Sequence, residues 1–179
     1  MEPSLTIRLD VGNDGVFDLT TTTNSSGFYS FNIPATPSGA YRVALFPPIT
    51  RISTTGPTLV VLPNGEVKDD AHFGSYPVAV ITGTAFDDLN GNGALDGGEP
   101  GLDGVTITVG GPPPAFTQIT SGGGLYTFQI DGSGAFFVRQ VAPAGRIETT
   151  SEPQLVVLGA GDQESDVNFG SFDPISISG

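Results

Sequence analysis

The chain has no cysteine, no tryptophan, one histidine and only six basic residues among its 179. Without cysteine, neither a disulfide framework nor a thiolate metal site can form, although this absence does not identify a compartment. The single histidine, His72, has no second imidazole with which to share a metal or a triad. It precedes Phe-Gly-Ser in a strand-like stretch, where a partly exposed structural position is its expected role. Six basic residues against nineteen acidic ones give a net charge of -13 and a pI near 4.1, which repels nucleic acid and anionic membranes and attracts cations. No apolar run nears the roughly 20 residues that span a bilayer, so no membrane insertion is expected. The N-terminus lacks the basic and apolar regions of a signal peptide, so an exported protein would have lost its signal or carry it outside this sequence.

Punctuation, by contrast, is abundant: 26 glycines and 15 prolines argue against long helices. Between them lie short segments rich in Val, Ile, Thr, Phe and Tyr, interrupted roughly every 8 to 12 residues by Gly, Pro, Asn or Asp. The segments occur twice. FYSFNI at 28–33 matches LYTFQI at 125–130, SGAYRVALFPP at 38–48 matches SGAFFVRQVAP at 133–143, and GPTLVVLPNGEVKDDAHFGS at 56–75 matches EPQLVVLGAGDQESDVNFGS at 152–171. The period is about 96 residues. An all-β chain of two tandem antiparallel, Ig-like β-sandwich modules follows, with YRVALF and FFVRQV alternating inward and outward and Tyr29, Phe31, Tyr126 and Phe128 facing the opposite sheet.

Two such periods exceed the 179 residues present. Glu2 and Pro3 match Glu99 and Pro100, so the first module, residues 1–75, is expected to lack the counterpart of residues 76–98 and with it an opening strand. The second module, residues 76–171, is complete. At the far end FGSFDPISISG matches FGSYPVAVITG at 73–83, which sets Ile177, Ser178 and Gly179 on Ile81, Thr82 and Gly83. Residues 172–179 therefore read as a donor strand, with Ile175, Ser176, Ile177 and Ser178 as its alternating body. A sandwich short of a strand exposes unpaired backbone and an apolar slot, and a dangling strand of matching type fills it. A tail of about eight residues reaches at most roughly 28 Å, short for a return within one chain if the modules stand end to end. The expected partner is another copy of the chain, in a head-to-tail contact that extends into an open filament. An arbitrary cut from a longer tandem array is the competing reading.

The sharpest local motif is DDLNGNGALDGGEPGL at 87–102. With Asp88 at position 1, Asn90, Asn92, Gly93, Ala94, Asp96 and Glu99 fall at 3, 5, 6, 7, 9 and 12, which satisfies the calcium-loop pattern. Calcium takes about six to eight hard oxygens, and short Asp and Asn side chains at alternating positions converge on one point. Gly93 permits the turn that presents the Ala94 carbonyl, Asp96 acts directly or through water, and Glu99 closes the cage from the far end. Strand-like flanks make this a loop between strands, and a plain acidic turn is the bland alternative. DVGNDGVFD at 10–18 repeats part of the spacing, with Asp10, Asp14, Asp18 and the Val16 carbonyl as a possible second metal site. Gly12 offers no side chain at position 3 there and Thr21 replaces the closing Glu, so a simple hairpin turn is equally open. Asp69 with Asp70, and Asp162 with Glu164 and Asp166, read as solvated loops.

The run GTAFDDLNGNGALDGGEPGLDGVTITV, followed by GLYTF and VNFGSF, resembles the B-type repeats of bacterial surface adhesins, the serine-aspartate-repeat B-like and collagen-adhesin B-type domains of transthyretin-like sandwich fold. The resemblance covers residues 76–172, and residues 2–75 resemble the same module without its first strand and calcium loop. It implies extracellular, cell-surface modules in tandem, serving as stalk or matrix and stiffened by calcium at Asp88, Asn90, Asn92, Asp96 and Glu99. Many collagen-adhesin B-type domains carry a Lys to Asn isopeptide bond. The only lysine here, Lys68, lies beside the final strand of its module and not in an opening strand, so no such crosslink is expected with Asn168. LPNGE at 62–66 is not a sortase signal.

Catalysis is not expected, because the inventory of bases and nucleophiles is thin and the carboxylates cluster in loops accounted for by calcium or solubility; a glycosidase-like pair of carboxylates is the one catalytic arrangement the sequence leaves open. The sequence favours a structural subunit of an extracellular filament or biofilm matrix, polymerising by strand donation. The alternative is a calcium-rigidified stalk segment of a longer adhesin that binds a ligand or carbohydrate. Against a sugar site stand the missing tryptophan and tyrosines at core-type positions.

Overall fold

The computed structural model describes residues 4–33, 39–63, 66–111 and 115–175. The chain divides into two compact units, Met1–Pro77 and Val78–Gly179. Every regular element among the described residues is a strand.

The first unit holds β1 (Thr6–Val11), β2 (Leu19–Thr22), β3 (Gly39–Phe46), β4 (Arg51–Ser53), β5 (Thr58–Leu62) and β6 (Ser75–Pro77). Four of these form an antiparallel sheet in the order β2-β1-β3-β5, and β4 pairs only with β6. The alternation in β1 sends Ile7 and Leu9 inward onto Tyr41, Val43, Leu45 and Val60, while Arg8 turns outward over the Phe46 ring. Leu5, Tyr29, Phe31, Ile33, Ala71 and Phe73 pack against this core but stay only partly buried.

The second unit holds β7 (Ala79–Asp87), β8 (Thr106–Gly110), β9 (Phe116–Ile119), β10 (Leu125–Ile130), β11 (Gly134–Val141), β12 (Ile147–Glu148), β13 (Gln154–Leu158), β14 (Gln163–Glu164) and β15 (Phe169–Phe172). One sheet runs β13-β11-β8-β9; the other runs β10-β7-β15-β12, with β14 also on β7. Ile81, Tyr126, Phe128, Ile130 and Phe169 from the second sheet meet Ile107, Val109, Phe136, Val138 and Val156 from the first in one core, which makes this unit a β-sandwich. The pairing is not antiparallel throughout, as the alternation of short strands suggests. β7 runs parallel to β14 and β15, because the strand that opens the unit is central and the chain returns along it in the same direction to close the unit.

β7 explains a difference between two segments of matching pattern, FYSFNI and LYTFQI. In the second unit Tyr126, Phe128 and Ile130 lie on β10, paired with Gly83, Ile81 and Ala79, and are 2%, 5% and 0% exposed. In the first unit the matching Tyr29, Phe31 and Ile33 belong to no strand. Backbone N–H and C=O groups form a strand only where a ladder partner accepts them, and among the described residues of the first unit none stands where β7 stands in the second.

Candidate functional site

Two features stand out: the loop that leaves β7, and an open groove in the first unit. The loop begins at Asp88, whose side chain is wholly buried. Asp88 Oδ1 accepts the N–H groups of Gly91 (2.7 Å) and Asn92 (3.2 Å), and Oδ2 accepts that of Gly93 (2.7 Å). Burial pushes the Asp88 carboxyl up, but the Thr149 hydroxyl and the N–H groups of Gly93, Gly91 and Asn92 outweigh it, and the net direction is down. Thr149 Oγ1 is buried and makes no hydrogen bond of normal geometry, so the three N–H groups are the bonds seen at this carboxylate.

The far end of the loop folds back on the near end. Glu99 Oε1 accepts the Leu89 N–H at 3.0 Å and Oε2 that of Asp96 at 2.9 Å, while Asn90 and Asn92 each donate Nδ2 to Asp96 Oδ2, at 2.9 and 2.7 Å. The Ala94 N–H donates to Asn92 Oδ1 at 2.7 Å. Gly93 has φ +77, and a Cβ there would lie 2.8 Å from the Thr149 carbonyl oxygen, so conformation and space both demand glycine. The Thr150 hydroxyl accepts from the Gly170 N–H at 2.8 Å and donates to the Gly93 carbonyl at 3.3 Å, clamping the turn to the sandwich.

Among the described residues no three Asp, Glu or His side chains stand close enough to hold a metal ion by themselves. The donor set of the loop is mixed, however, and its chemistry fits a hard cation. Two side-chain amides already meet the Asp96 carboxylate at one point. Turning each amide about its terminal bond would bring three oxygens together there, an arrangement that needs a cation, at the expense of the N–H groups of Asn92 and Ala94 that Asn90 Oδ1 and Asn92 Oδ1 now accept.

The loop at 10–18 builds part of the same cradle. Buried Asp10 accepts the N–H groups of Asp14 (3.1 Å) and Gly15 (2.9 Å), Asp14 accepts that of Val16 (2.9 Å), and Asp18 accepts that of Val11 (2.7 Å). Thr21 lies on β2 opposite Ile7, directed by the ladder and not back into the loop. The hairpin also has packing of its own, with Phe17 edge-on to Phe46 and the Arg42 guanidinium over Phe17. His72 is exposed, and Lys68 pairs with Asp70. Asn168 Oδ1 accepts the Thr84 N–H at 2.8 Å.

Asp103, just past the first loop, joins the loop exit to the start of β10. The N–H groups of Gly124 (2.7 Å) and Gly123 (2.9 Å) donate to its Oδ1, and the Gly124 N–H, opposed by burial, leads in holding its carboxyl below the ordinary value of 3.8. A carboxyl lowered in the folded state contributes stability that is fully present above that value and is lost as pH falls through the lower folded value. In calcium-free buffer the melting temperature should therefore fall below about pH 4, and an Asp103→Ala chain should start lower and show a shallower fall, as read by circular dichroism.

The groove occupies about 680 Å³ in the first unit, lined by Phe31, Ile33, Tyr41, Val43, Val60 and Leu62 among others. A smaller cavity of about 160 Å³, lined by Leu5, Ile7, Leu45 and Phe73, adjoins it, and Tyr29, Ala71 and His72 line both. In the second unit the matching side chains close over β7. Phe172 belongs to β15, opposite Ile147, and Asp173 pairs with Arg146 at 3.0 Å, so the proposed donor segment is held in its own unit through Asp173. Ile175 is 93% exposed, and Ser176, Ile177 and Ser178 lie outside the described residues. Sequence reasoning missed this Arg146 clamp, in which Nη2 also bonds Asp87 and the Ser171 carbonyl. The signal available was Arg51, its repeat counterpart, which bonds Ser75 in the same way.

No curated protein matches the chain. Among solved structures it is similar to the Bacillus anthracis TIE protein, at 15% identity and a TM-score of 0.43, over 94% of this chain and 30% of that one. It is also similar to a streptococcal ancillary pilin (15% identity, TM-score 0.40, 93% of this chain and 57% of that one). A third is GBS52, the minor pilin of Streptococcus agalactiae (11% identity, TM-score 0.40, 98% and 86%). The chain spans less than two thirds of the first two. No helix among the described residues is long and apolar enough to cross a membrane. Residues 79–172, more than half of the 179 and the whole of β7 through β15, match the SdrD B-like domain family, and the chain belongs to that family.

Proposed function

We propose that this chain is a structural subunit of an extracellular, cell-surface filament or matrix, assembled by donation of a C-terminal strand to the first unit of a neighbouring copy. The observation that carries the reading is the 680 Å³ apolar groove, which lies where β7 would lie if the first unit were built like the second. The occupant is residues 174–179 of another copy. Their sequence repeats the start of β7, with Ile175 on Ala79, Ile177 on Ile81 and Gly179 on Gly83. By the register of β7 on β10, Ile177 would lie opposite Phe31 and Ile175 opposite Ile33, completing a ladder with the backbone of residues 29–33. Residues 1–75 and 76–171 act as acceptor and spacer modules in this scheme. Calcium bound by Asp88, Asn90, Asn92, the Ala94 carbonyl, Asp96 and Glu99 stiffens the spacer. The loop at 10–18 serves as a hairpin turn whose cation affinity, if measurable, is the weaker of the two. The role is mechanical and not catalytic, as membership of an adhesin-repeat family suggests.

Electron microscopy in calcium of the full chain beside a chain ending at Asp173 tests the assembly. Filaments from the first and single particles from the second are expected. Single particles from both would overturn strand donation between copies, and the reading would become a calcium-stiffened stalk segment of a longer adhesin.

A further inference from the structure

In the second unit Tyr126 reaches across β7: its hydroxyl donates to the Val167 carbonyl, which belongs to the segment on the other side of that strand. The residue beneath this bridge is Gly83, directly opposite Tyr126 in the ladder. A Cβ on Gly83 would lie 2.0 Å from the Val167 oxygen and 2.7 Å from the Tyr126 hydroxyl. Both distances are far inside van der Waals contact, and one of the atoms is backbone, so no side chain fits. The glycine is there for space, since Gly83 is not among the residues with positive φ. Burial raises the Tyr126 phenol, so it stays protonated and able to donate at any physiological pH.

The first unit has the same bridge. Tyr29 Oη donates to the Ala71 carbonyl at 2.6 Å, and Tyr29 and Ala71 match Tyr126 and Val167 in the repeat. The bridge stands between the two cavities, lining both. Burial raises the Tyr29 phenol too.

We propose that the groove of the first unit reads an incoming strand at a single position, admitting only glycine beneath the Tyr29–Ala71 bridge and thereby fixing the register of the donor. The inference rests on the strand-donation reading and names what selects the partner. The segment 172–179 contains one glycine, Gly179, with isoleucine two and four residues before it, as Gly83 has Ile81 and Ala79. A strand shifted by one residue would turn its serines into the groove; shifted by two, it would put Ile177 under the bridge. Only one register satisfies both the apolar groove and the bridge. Residues 176–179 lie outside the described residues, and their placement here is by the repeat with β7.

The test uses the full chain carrying Ile177→Asp as acceptor, so that its own tail cannot compete, and labelled synthetic peptides of residues 173–179 read by fluorescence polarisation. The native peptide should bind. The peptide with Gly179→Ala should bind at least about 100-fold more weakly, while Ser176→Ala, on the opposite face of the strand, should change binding by less than about 3-fold. In an acceptor that also carries Tyr29→Phe the carbonyl of Ala71 is released, and the preference for glycine over alanine should shrink by about 10-fold or more. Equal binding of the glycine and alanine peptides would overturn the glycine gate and leave strand donation standing. A discrimination unchanged by Tyr29→Phe would overturn the role of the bridge. Failure of every peptide to bind would overturn strand donation, and the gate with it.

Discussion

Chains carrying Ile177→Asp are expected to remain single in calcium, with the second unit folded and melting as in the parent. A fully buried isoleucine contributes about 1.5–3 kcal/mol, so its loss alone weakens each contact by about 10- to 100-fold. Placing a carboxylate among Phe31, Val60 and Leu62 adds a desolvation cost of several kcal/mol more. The acceptor side gives the reciprocal variant. Phe31→Asp puts the charge in the groove and leaves the tail intact. Each variant alone should stay monomeric, yet their mixture should pair once and stop, because the first supplies an intact groove and the second an intact tail. Analytical ultracentrifugation separates the outcomes: a heterodimer peak in the mixture is expected, and continued polymerisation of the Ile177→Asp chain would sink strand donation.

The second large effect is on the loop. Removing calcium with a chelator should lower the melting temperature of the second unit, because an ion held about 1,000-fold below its working concentration contributes about 4 kcal/mol. Asp88→Ala should lower it further still in calcium-free buffer. That change leaves the N–H groups of Gly91, Asn92 and Gly93 without their acceptor, for a cost on the order of 3 kcal/mol. In a unit of this size the shift is about 15 °C. The variant should also lose its response to calcium, which distinguishes a ligand from a merely structural cap. A parent melting curve indifferent to chelator, together with no calcium by elemental analysis, would refute the metal assignment while leaving the hydrogen-bonded turn intact.

The loop was legible because its donors are local. Asp88, Asn90, Asn92, Asp96 and Glu99 lie within one turn-rich stretch; the structure brings Asn90 and Asn92 onto Asp96, while Asp88 and Glu99 accept backbone N–H groups of the same loop. Its clamp was not legible, since Thr150 reaches Gly93 from 57 residues away. The same holds for the Tyr29 and Tyr126 bridges, which join residues 42 and 41 positions apart. Tyrosine at a core-type position reads as packing, and only the atom its hydroxyl meets reveals a second role.

The sequence by itself determined that the chain is all-β, that its second half repeats its first, and where its acidic loops fall. Alternation of period two, glycine and proline punctuation, and short-range spacing are properties of neighbouring residues, so they can be read without a partner. Only the tertiary structure decided that β7 lies at the centre of its sheet with parallel neighbours, and that LYTFQI is a strand while FYSFNI, with the same pattern, is not. The physical reason is the ladder: a strand exists when its backbone groups find partners, those partners come from distant sequence, and one unit supplies them internally where the other leaves a groove.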